Sequence, residues 1–135
     1  MFIWFQRNLC LLIITGFFIS CGKTTTPPIP HFPIGSAYPN ICETDRGFMM
    51  IWYEGDKHIV MSEFTGGKWT PKDTVVSSEL FFKNWADLPQ IYYVGSDTIA
   101  LSWLEMSGKR TYDYDIKVSM SVDRGKTWSG PVIPH

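Results

Sequence analysis

The stretch Ser121-Val122-Asp123-Arg124-Gly125-Lys126-Thr127-Trp128 decides how the rest of this 135-residue chain is interpreted. Asp123 can accept hydrogen bonds from amides two or three residues later, and Gly125 supplies the positive φ of a tight turn. Ser121 and Thr127 can bond backbone groups at the strand ends, and Trp128 opens the next strand with a large ring to bury. The stretch therefore predicts a hairpin turn that stabilises a β-fold and performs no chemistry.

The spacing S-x-D-x-G-x-T-W resembles the Asp-box (BNR) repeat of sialidases and sialidase-like glycoside hydrolases. The resemblance implies a structural Asp-box made of Ser121, Asp123, Gly125, Thr127 and Trp128. It also extends to residues 84–89 and 111–115, which look like the second blade of bacterial sialidase-like exo-glycosidases. What it implies for the fold is a β-propeller.

An internal repeat supports this interpretation. Residues 62–69 keep the serine, glycine and tryptophan of the Asp-box at the same spacing, with Ser62 aligned to Ser121, but lack the aspartate and the threonine. Upstream, Pro39 precedes Trp52 by thirteen residues and Pro89 precedes Trp103 by fourteen. The two tryptophans recur at matching positions, so both are predicted to be core. We interpret the repeat as two blades, one at about 36–78 and one at about 84–134.

Alternating apolar and polar residues between turn signals predict four strands in each blade. They span residues 38–42, 48–53, 58–64 and 69–76 in the first blade, and 90–93, 99–105, 116–121 and 128–132 in the second, which carries an insertion at 107–115. The predicted fold is all-β: the first two blades of a six-bladed sialidase-like propeller, preceded by a signal peptide. Since propellers close with about four to eight blades, we expect the missing blades in a longer parent chain.

The first 20 residues have the pattern of a lipoprotein signal peptide. Arg7 precedes an apolar run at residues 9–19, and Cys21 follows directly after Ser20. This resembles a bacterial lipobox, which implies acylation of Cys21 and a secreted protein anchored to a bacterial membrane, at the outer membrane or its periplasmic face. An ordinary cleaved signal or an uncleaved anchor is the alternative. Residues 21–35, rich in Thr and Pro, suit a stalk.

Composition excludes several classes of function. The 12 Lys and Arg nearly balance the 13 Asp and Glu, and no basic run is present, so nucleic-acid binding is not expected. After processing at Cys21, Cys42 is the one cysteine left in the folded part, so no internal disulfide is expected. No spacing of ligand residues matches a metal site, and neither a metal nor a cofactor is predicted.

Blade topology predicts where a ligand would bind. Family members bind glycans on the propeller face opposite their Asp-boxes, and Asp87 should lie there, at the head of the second innermost strand. Asp87 is our candidate general acid, because a carboxylate between Trp85 and Leu88 could have a raised pKa; bonding to local amides is the alternative. The candidate substrate-binding residues are Trp85, Arg110, Tyr112, Asp113 and Tyr114, although a polar hairpin tip is the default interpretation of Tyr112, Asp113, Tyr114 and Asp115.

The catalytic set that the family uses is incomplete here. Sialidases hold a sugar carboxylate with three arginines and use an aspartate acid/base and a tyrosine nucleophile. Ala37 occupies the position before Pro39 where they carry the first arginine, and the remaining arginines of the mature part fall in turns or in the insertion. We expect an N-terminal fragment of a secreted sialidase-like glycoside hydrolase that acts on or recognises glycans and is inactive alone. The alternatives are a non-catalytic propeller that binds glycan or protein partners, and an inactive truncation product.

Overall fold

Every regular element in the described part of the chain is a β-strand. The computed structural model describes residues 28–134, and the prediction of an all-β fold is confirmed there. The strands are β1 (Ser36–Thr44), β2 (Gly47–Glu54), β3 (His58–Thr65), β4 (Lys68–Trp69), β5 (Asp73–Ser77), β6 (Gln90–Gly95), β7 (Thr98–Met106) and β8 (Tyr114–Ser121). The predicted signal peptide at 1–20 and Cys21 lie outside this part. Between residues 28 and 134, no helix has the length and apolar character that a membrane span needs.

The strands form two antiparallel sheets, one from each half of the sequence repeat. Sheet 1 has the order β1-β2-β3, with β4 and β5 both paired along the outer edge of β3, and sheet 2 has the order β6-β7-β8. Pro71 interrupts the predicted strand 69–76, so that it becomes β4 and β5. The predicted insertion is shorter than expected, because β8 begins at Tyr114.

The predicted strand 128–132 is wrong in its extent. Only Val132 pairs with β8, through two hydrogen bonds with Val118 of 2.9 and 2.8 Å. Pro131 and Pro134 flank this residue and have no N–H group to donate, which limits the ladder to a single bridge. Nearer the turn, Ser129 also bonds the outer edge of β8, since its N–H donates to the carbonyl of Met120 at 2.8 Å and its hydroxyl accepts the Met120 N–H at 3.0 Å.

The two sheets pack face to face around a single core. We call the face of sheet 1 that meets sheet 2 its forward face, and the face of sheet 2 that meets sheet 1 its backward face; the opposite faces are named accordingly. Because alternate residues of a strand point to opposite faces, odd-numbered residues of β2, β3, β6 and β7 build the core. Its members are Met49, Ile51, Tyr53, Ile59, Met61, Ile91, Ile99, Leu101 and Trp103.

Polar contacts also join β1 and β6, the first strands of the two sheets. The side-chain oxygen of Asn40 in β1 accepts a hydrogen bond from the backbone N–H of Ile91 in β6, at 3.1 Å. The side-chain nitrogen of Asn40 donates a hydrogen bond to the side-chain oxygen of Gln90, also at 3.1 Å. Because both partners lie in β6, Asn40 fixes the position of β1 against β6.

The sequence repeat places its tryptophans on corresponding faces. Trp52 lies on the backward face of sheet 1, since its register partner is Val60, and Trp103 lies on the backward face of sheet 2, within the core. Trp69 pairs with Phe64 on the backward face of sheet 1, and Trp128 packs against the core from sheet 2. Each repeat therefore presents two tryptophans to the same side.

The alignment of Ser62 with Ser121 is wrong by two residues. Ser62 Oγ donates to the carbonyl of Thr70 at 2.8 Å, and the residue that makes the equivalent bond in sheet 2 is Ser119, which donates to the carbonyl of Ser129 at 2.7 Å. The hydroxyls of Thr70 and Ser129 each accept a backbone N–H from β3 or β8, both at 3.0 Å. Ser119 is thus the counterpart of Ser62.

The two-residue offset in the alignment arises because the two hairpins have turns of different length. In sheet 1, β3 continues to Thr65 and turns at Gly66 and Gly67, whose φ angles of 58° and 82° suit a two-residue hairpin. In sheet 2, β8 ends at Ser121 and the eight-residue box makes the turn. Without the aspartate and threonine to bond turn amides, the first repeat keeps its backbone paired and shortens the loop.

The first described residues lie along the backward face of sheet 1. Phe32 packs edge to face on Trp52, with ring centroids 5.1 Å apart, and the carbonyl of Pro28 accepts a hydrogen bond from the Trp69 indole. Trp52 is 1% exposed as a result. This segment, residues 28–32, covers the face that has no sheet against it.

Candidate functional site

The turn at residues 121–128, which we call the Asp-box turn after its sequence resemblance, is closed by hydrogen bonds among its own residues. Asp123 Oδ1 accepts from Ser121 Oγ and from the Thr127 backbone N–H, both at 2.8 Å, and Oδ2 accepts from Thr127 Oγ1 at 2.6 Å. The backbone N–H of Gly125 donates to Ser121 Oγ at 2.7 Å. The bonds from the Thr127 hydroxyl and amide lower the pKa of Asp123 to about 2. The polar side chains of Ser121, Asp123 and Thr127 therefore all make hydrogen bonds within the turn.

The turn also presses against sheet 1. Trp128 donates its indole N–H to the carbonyl of Gly125 at 3.1 Å. Met61 packs on Gly125: a Cβ added there would lie 2.4 Å from Met61 Cε, the flexible end of that side chain, and the φ of 86° is the stronger reason for a glycine. The Asp-box is therefore part of the interface between the sheets.

Arg124, inside the same turn, forms salt bridges with three carboxylates, and these bridges link the two sheets. Its guanidinium donates to Glu63 at 2.9 and 2.5 Å, to Asp45 at 2.9 Å and to Asp97 at 3.1 Å. A further bond reaches Thr44 Oγ1 at 3.0 Å. The Arg124 side chain is 8% exposed, and hydrogen bonding to Glu63 raises its pKa above the ordinary arginine range. The bond from Arg124 lowers the pKa of Asp45 in turn.

Sequence reasoning missed this cluster. Glu63 and Asp45 precede Arg124 by 61 and 79 residues, so no local pattern links them. One signal was available: Asp45, Asp97 and Arg124 all lie in or beside hairpin turns at one end of the strands. We call this end the Asp-box rim.

Asp87 lies at the opposite rim, just before β6. Its carboxylate accepts a hydrogen bond from Asn84 Nδ2 at 2.7 Å, and the Asn84 side chain also accepts the backbone N–H of Ala86 at 3.0 Å. A local turn therefore holds Asp87 in place while its side chain stays exposed. Trp85, two residues earlier, is 83% exposed.

A hollow of about 200 Å³ adjoins Asp87. Gln90, Ser102, Leu104 and Ile116 share the forward face of sheet 2 by register and form its floor. One carboxylate, one amide and one hydroxyl thus surround an apolar patch. This chemistry suits a ligand with hydroxyl groups on one side and C–H groups on the other.

The hairpin at residues 107–113 is on the same rim, as expected. Arg110 Nε donates to both carboxylate oxygens of Asp113, at 3.1 and 3.2 Å. Tyr114 stacks on Phe82 with ring centroids 4.5 Å apart, so it is tied to the segment that leads to Asp87. Tyr112 is exposed.

The structure brings the candidate residues to one rim but not into one pocket. Asp87 lines the hollow; Trp85, Tyr112 and the pair of Arg110 and Asp113 lie outside it. Arg46, which donates to Asp97 at 3.1 Å, is bound on the Asp-box rim like Arg124. Of the described arginines, Arg110 alone is on the rim of Asp87.

Cys42 is a partly buried free thiol on the forward face of sheet 1, and burial raises its pKa. Within residues 28–134, no three His, Cys, Asp or Glu side chains are grouped so that they could hold a metal ion.

Comparison of the chain with protein-family models, with curated proteins and with solved structures found no match.

Proposed function

We propose that residues 36–134 are the N-terminal part of a sialidase-like β-propeller that recognises or hydrolyses glycans, and that further blades belong to a longer parent chain. Two sheets packed forward face to backward face, with tryptophans repeated on corresponding sides, support the architecture. The hydrogen-bonded Asp-box supports the family resemblance.

The observation that carries the glycan assignment is the pairing of Trp85 and Asp87 on the rim opposite the Asp-box. An exposed indole provides a flat apolar surface for the C–H face of a sugar, and a carboxylate accepts hydrogen bonds from its hydroxyls. The hollow beside Asp87 continues this surface with Gln90 and Ser102. Asp87 is also the group that could act as general acid in the parent enzyme.

Binding without hydrolysis is the second candidate function. Arg46 and Arg124 are held by carboxylates on the far rim, so the residues that the structure describes provide no arginine cluster near Asp87 to hold a sugar carboxylate. We therefore expect neutral sugars to bind as well as sialylated ones, and we expect no turnover of aryl glycosides by this chain alone.

The proposal is tested by NMR titration of the chain with lactose and with 3′-sialyllactose. We expect the Trp85 indole N–H resonance to shift with both sugars, and we expect the shift of neighbouring resonances to be lost in Trp85→Ala and reduced in Asp87→Asn. Phe48→Ala and Glu43→Gln, which change an exposed ring and an exposed carboxylate near the Asp-box rim, serve as matched controls.

Two results would contradict the glycan assignment. One is the absence of a response to either sugar at millimolar concentration. The other is binding that persists in both Trp85→Ala and Asp87→Asn, since the site would then lie elsewhere.

The membrane anchor is a separate part of the proposal. Acylation of Cys21 would hold the domain at a bacterial membrane, with the Thr/Pro-rich segment as its stalk. Cys21→Ser should release the protein from the membrane fraction and abolish incorporation of a labelled fatty acid; labelling that survives this change would refute the anchor.

A further inference from the structure

We propose that the backward face of sheet 1 is a recognition groove for a proline-rich segment of another polypeptide, which binds by displacing residues 28–32 of this chain. We call residues 28–32 the strap. The inference goes beyond the proposed function, because no residue of the groove lines the hollow beside Asp87. The two sites can therefore be tested separately.

The strap shows which backbone conformation the groove accepts. Proline fixes its own φ at about −65°, and the residue before a proline is restricted to extended conformations. Pro28 and Pro30 meet the first condition, and Ile29 and Phe32 meet the second, since prolines stand at positions 30 and 33. The sequence of the strap thus favours the polyproline II helix over most of its length.

Two tryptophans of sheet 1 form the groove, and both contact the strap. Trp69 donates its indole N–H to the carbonyl of Pro28. Trp52 packs edge to face with Phe32, at a distance of 5.1 Å between ring centroids. Aromatic rings line the grooves that bind polyproline II segments, whose carbonyls have no partner within the segment. The strap therefore occupies this groove as an internal ligand would.

The strap is an incomplete ligand. Beneath it the indole N–H of Trp52 is buried and has no hydrogen-bond partner among residues 28–134, and a buried donor without an acceptor is unfavourable. A hollow of about 490 Å³ also remains between the strap and the two tryptophans, Trp52 and Trp69. A segment that filled this hollow and brought a second carbonyl to Trp52 would bind better than the strap does.

The strap is also weakly attached. Among residues 28–134, the bond from Trp69 is the one hydrogen bond that the strap makes, and Ile29 is 76% exposed. Segments with few buried contacts and few hydrogen bonds open at the lowest cost in free energy. Displacement of the strap should therefore leave the two sheets intact.

The groove favours an uncharged partner. Of the described residues that line the hollow, Lys72 is the one Lys, Arg, Asp or Glu, and its ammonium group is paired with Glu54. The remaining surface is formed mainly by tryptophan and proline side chains. A proline-rich segment suits this surface better than an acidic or a basic peptide does.

The strap of a second copy of this chain is a poorer occupant. It would leave the Trp52 N–H unpaired, as the chain's own strap does. It would also compete with a strap that is covalently attached and is therefore present at a high effective concentration. A different segment that pairs with Trp52 has an advantage that an exchanged strap lacks.

The test is NMR titration of the isotope-labelled full chain with deca-proline, which forms a polyproline II helix. We expect the indole N–H resonances of Trp52 and Trp69 to shift, that of Trp52 downfield because it gains an acceptor. Phe32→Ala should lower the midpoint of the titration at least about tenfold, since the apparent affinity rises with the fraction of open groove. Ile34→Ala, which changes a fully exposed side chain beside the strap, is the matched control and should leave the midpoint unchanged.

Two further changes separate the strap from the groove. Pro30→Gly keeps Phe32 in place but makes the strap more flexible, so it should lower the midpoint even if Phe32→Ala does not fold. Trp69→Phe, added to either strap variant, removes the indole N–H from an open groove. It should raise the midpoint about fivefold, which corresponds to the loss of one hydrogen bond.

Three results would overturn the proposal. The first is the absence of a shift in either indole resonance at millimolar deca-proline, in the unmodified chain and in both strap variants. The second is an equal midpoint in all three proteins, which would place the peptide away from the strap. The third is a dimer of the unmodified chain at micromolar concentration that Phe32→Ala dissociates, which would make a second copy the occupant. Each of these results leaves the response of Trp85 to lactose as an independent test of the proposed function.

Discussion

Arg124, in the Asp-box turn of sheet 2, donates two hydrogen bonds to Glu63 in the third strand of sheet 1, at 2.9 and 2.5 Å. The residues are separated by 61 positions in the sequence, and both side chains are largely buried. This pair couples the turn at residues 121–128 to the packing of the two sheets. The motif is thus involved in tertiary structure as well as in a local turn.

Arg124→Met should destabilise the fold strongly, because it leaves the Glu63 carboxylate buried without a partner. Breaking a buried pair on one side costs about 3 kcal/mol, measured as the free energy of unfolding in urea. Arg46→Met is the control: Arg46 makes an exposed ion pair with Asp97, worth less than about 1 kcal/mol. Equal losses of unfolding free energy in the two variants would contradict the special contribution of the Arg124–Glu63 pair to stability.

Gly125→Ala should also destabilise, for a different reason. The residue has a φ of 86°, and the new methyl group would lie 2.4 Å from Met61 Cε. Strain of this kind costs about 1–3 kcal/mol. Gly130→Ala is the matched control, because no atom lies within 4 Å of its added methyl group. Thermal unfolding of both variants distinguishes them, and similar midpoints would contradict the requirement for glycine at this φ.

Stability should fall in acid partly through Asp123. Its folded-state pKa of about 2 lies below the ordinary value of 3.8, so the contribution is complete above about pH 4 and is lost as the pH falls towards 2. Asp123→Asn should therefore be less stable at neutral pH and show a shallower decline in this window. Thr127→Val, which removes the strongest hydrogen bond to the carboxylate, should be intermediate. An unchanged slope in Asp123→Asn would refute this account.

At high pH the relevant group is Tyr53. Burial raises its pKa to about 12 from the ordinary 10.0, so its neutral form stabilises the fold below pH 10, and this contribution is lost between pH 10 and 12. Spectrophotometric titration should show one late tyrosine, which disappears in Tyr53→Phe. Persistence of the late step in that variant would assign it to another residue.

Local patterns were sufficient to predict most strands and the Asp-box turn. Asp123 bonds residues within four positions, and the alternation in β7 follows from one buried face, whereas β2 is buried on both faces at Ile51, Trp52 and Tyr53. Contacts between distant residues were not predictable, and Arg124 is the clearest case. The repeat alignment slipped by two residues because identical serines stood at equal spacing while the two turns differ in length.

The candidate site was predicted in its position on the fold but not in its shape. Topology correctly put Asp87 and the 107–113 hairpin on one rim. The hollow depends on which side chains of β7 and β8 share the forward face, and this follows from the register of Ser102 with Gln90 and Val118. Register between strands is a tertiary property, so the sequence alone did not contain it in readable form.

The packing of sheet 1 on sheet 2 is tested most directly by nuclear Overhauser effects from the methyl group of Met61. We expect strong cross-peaks from this methyl group to the α-protons of Gly125, since the two residues are in contact across the interface, and none from the methyl group of Met120 to any residue of sheet 1. The absence of Met61–Gly125 cross-peaks, or contacts of Met120 with sheet 1, would contradict the forward-to-backward arrangement and the repeat on which it depends.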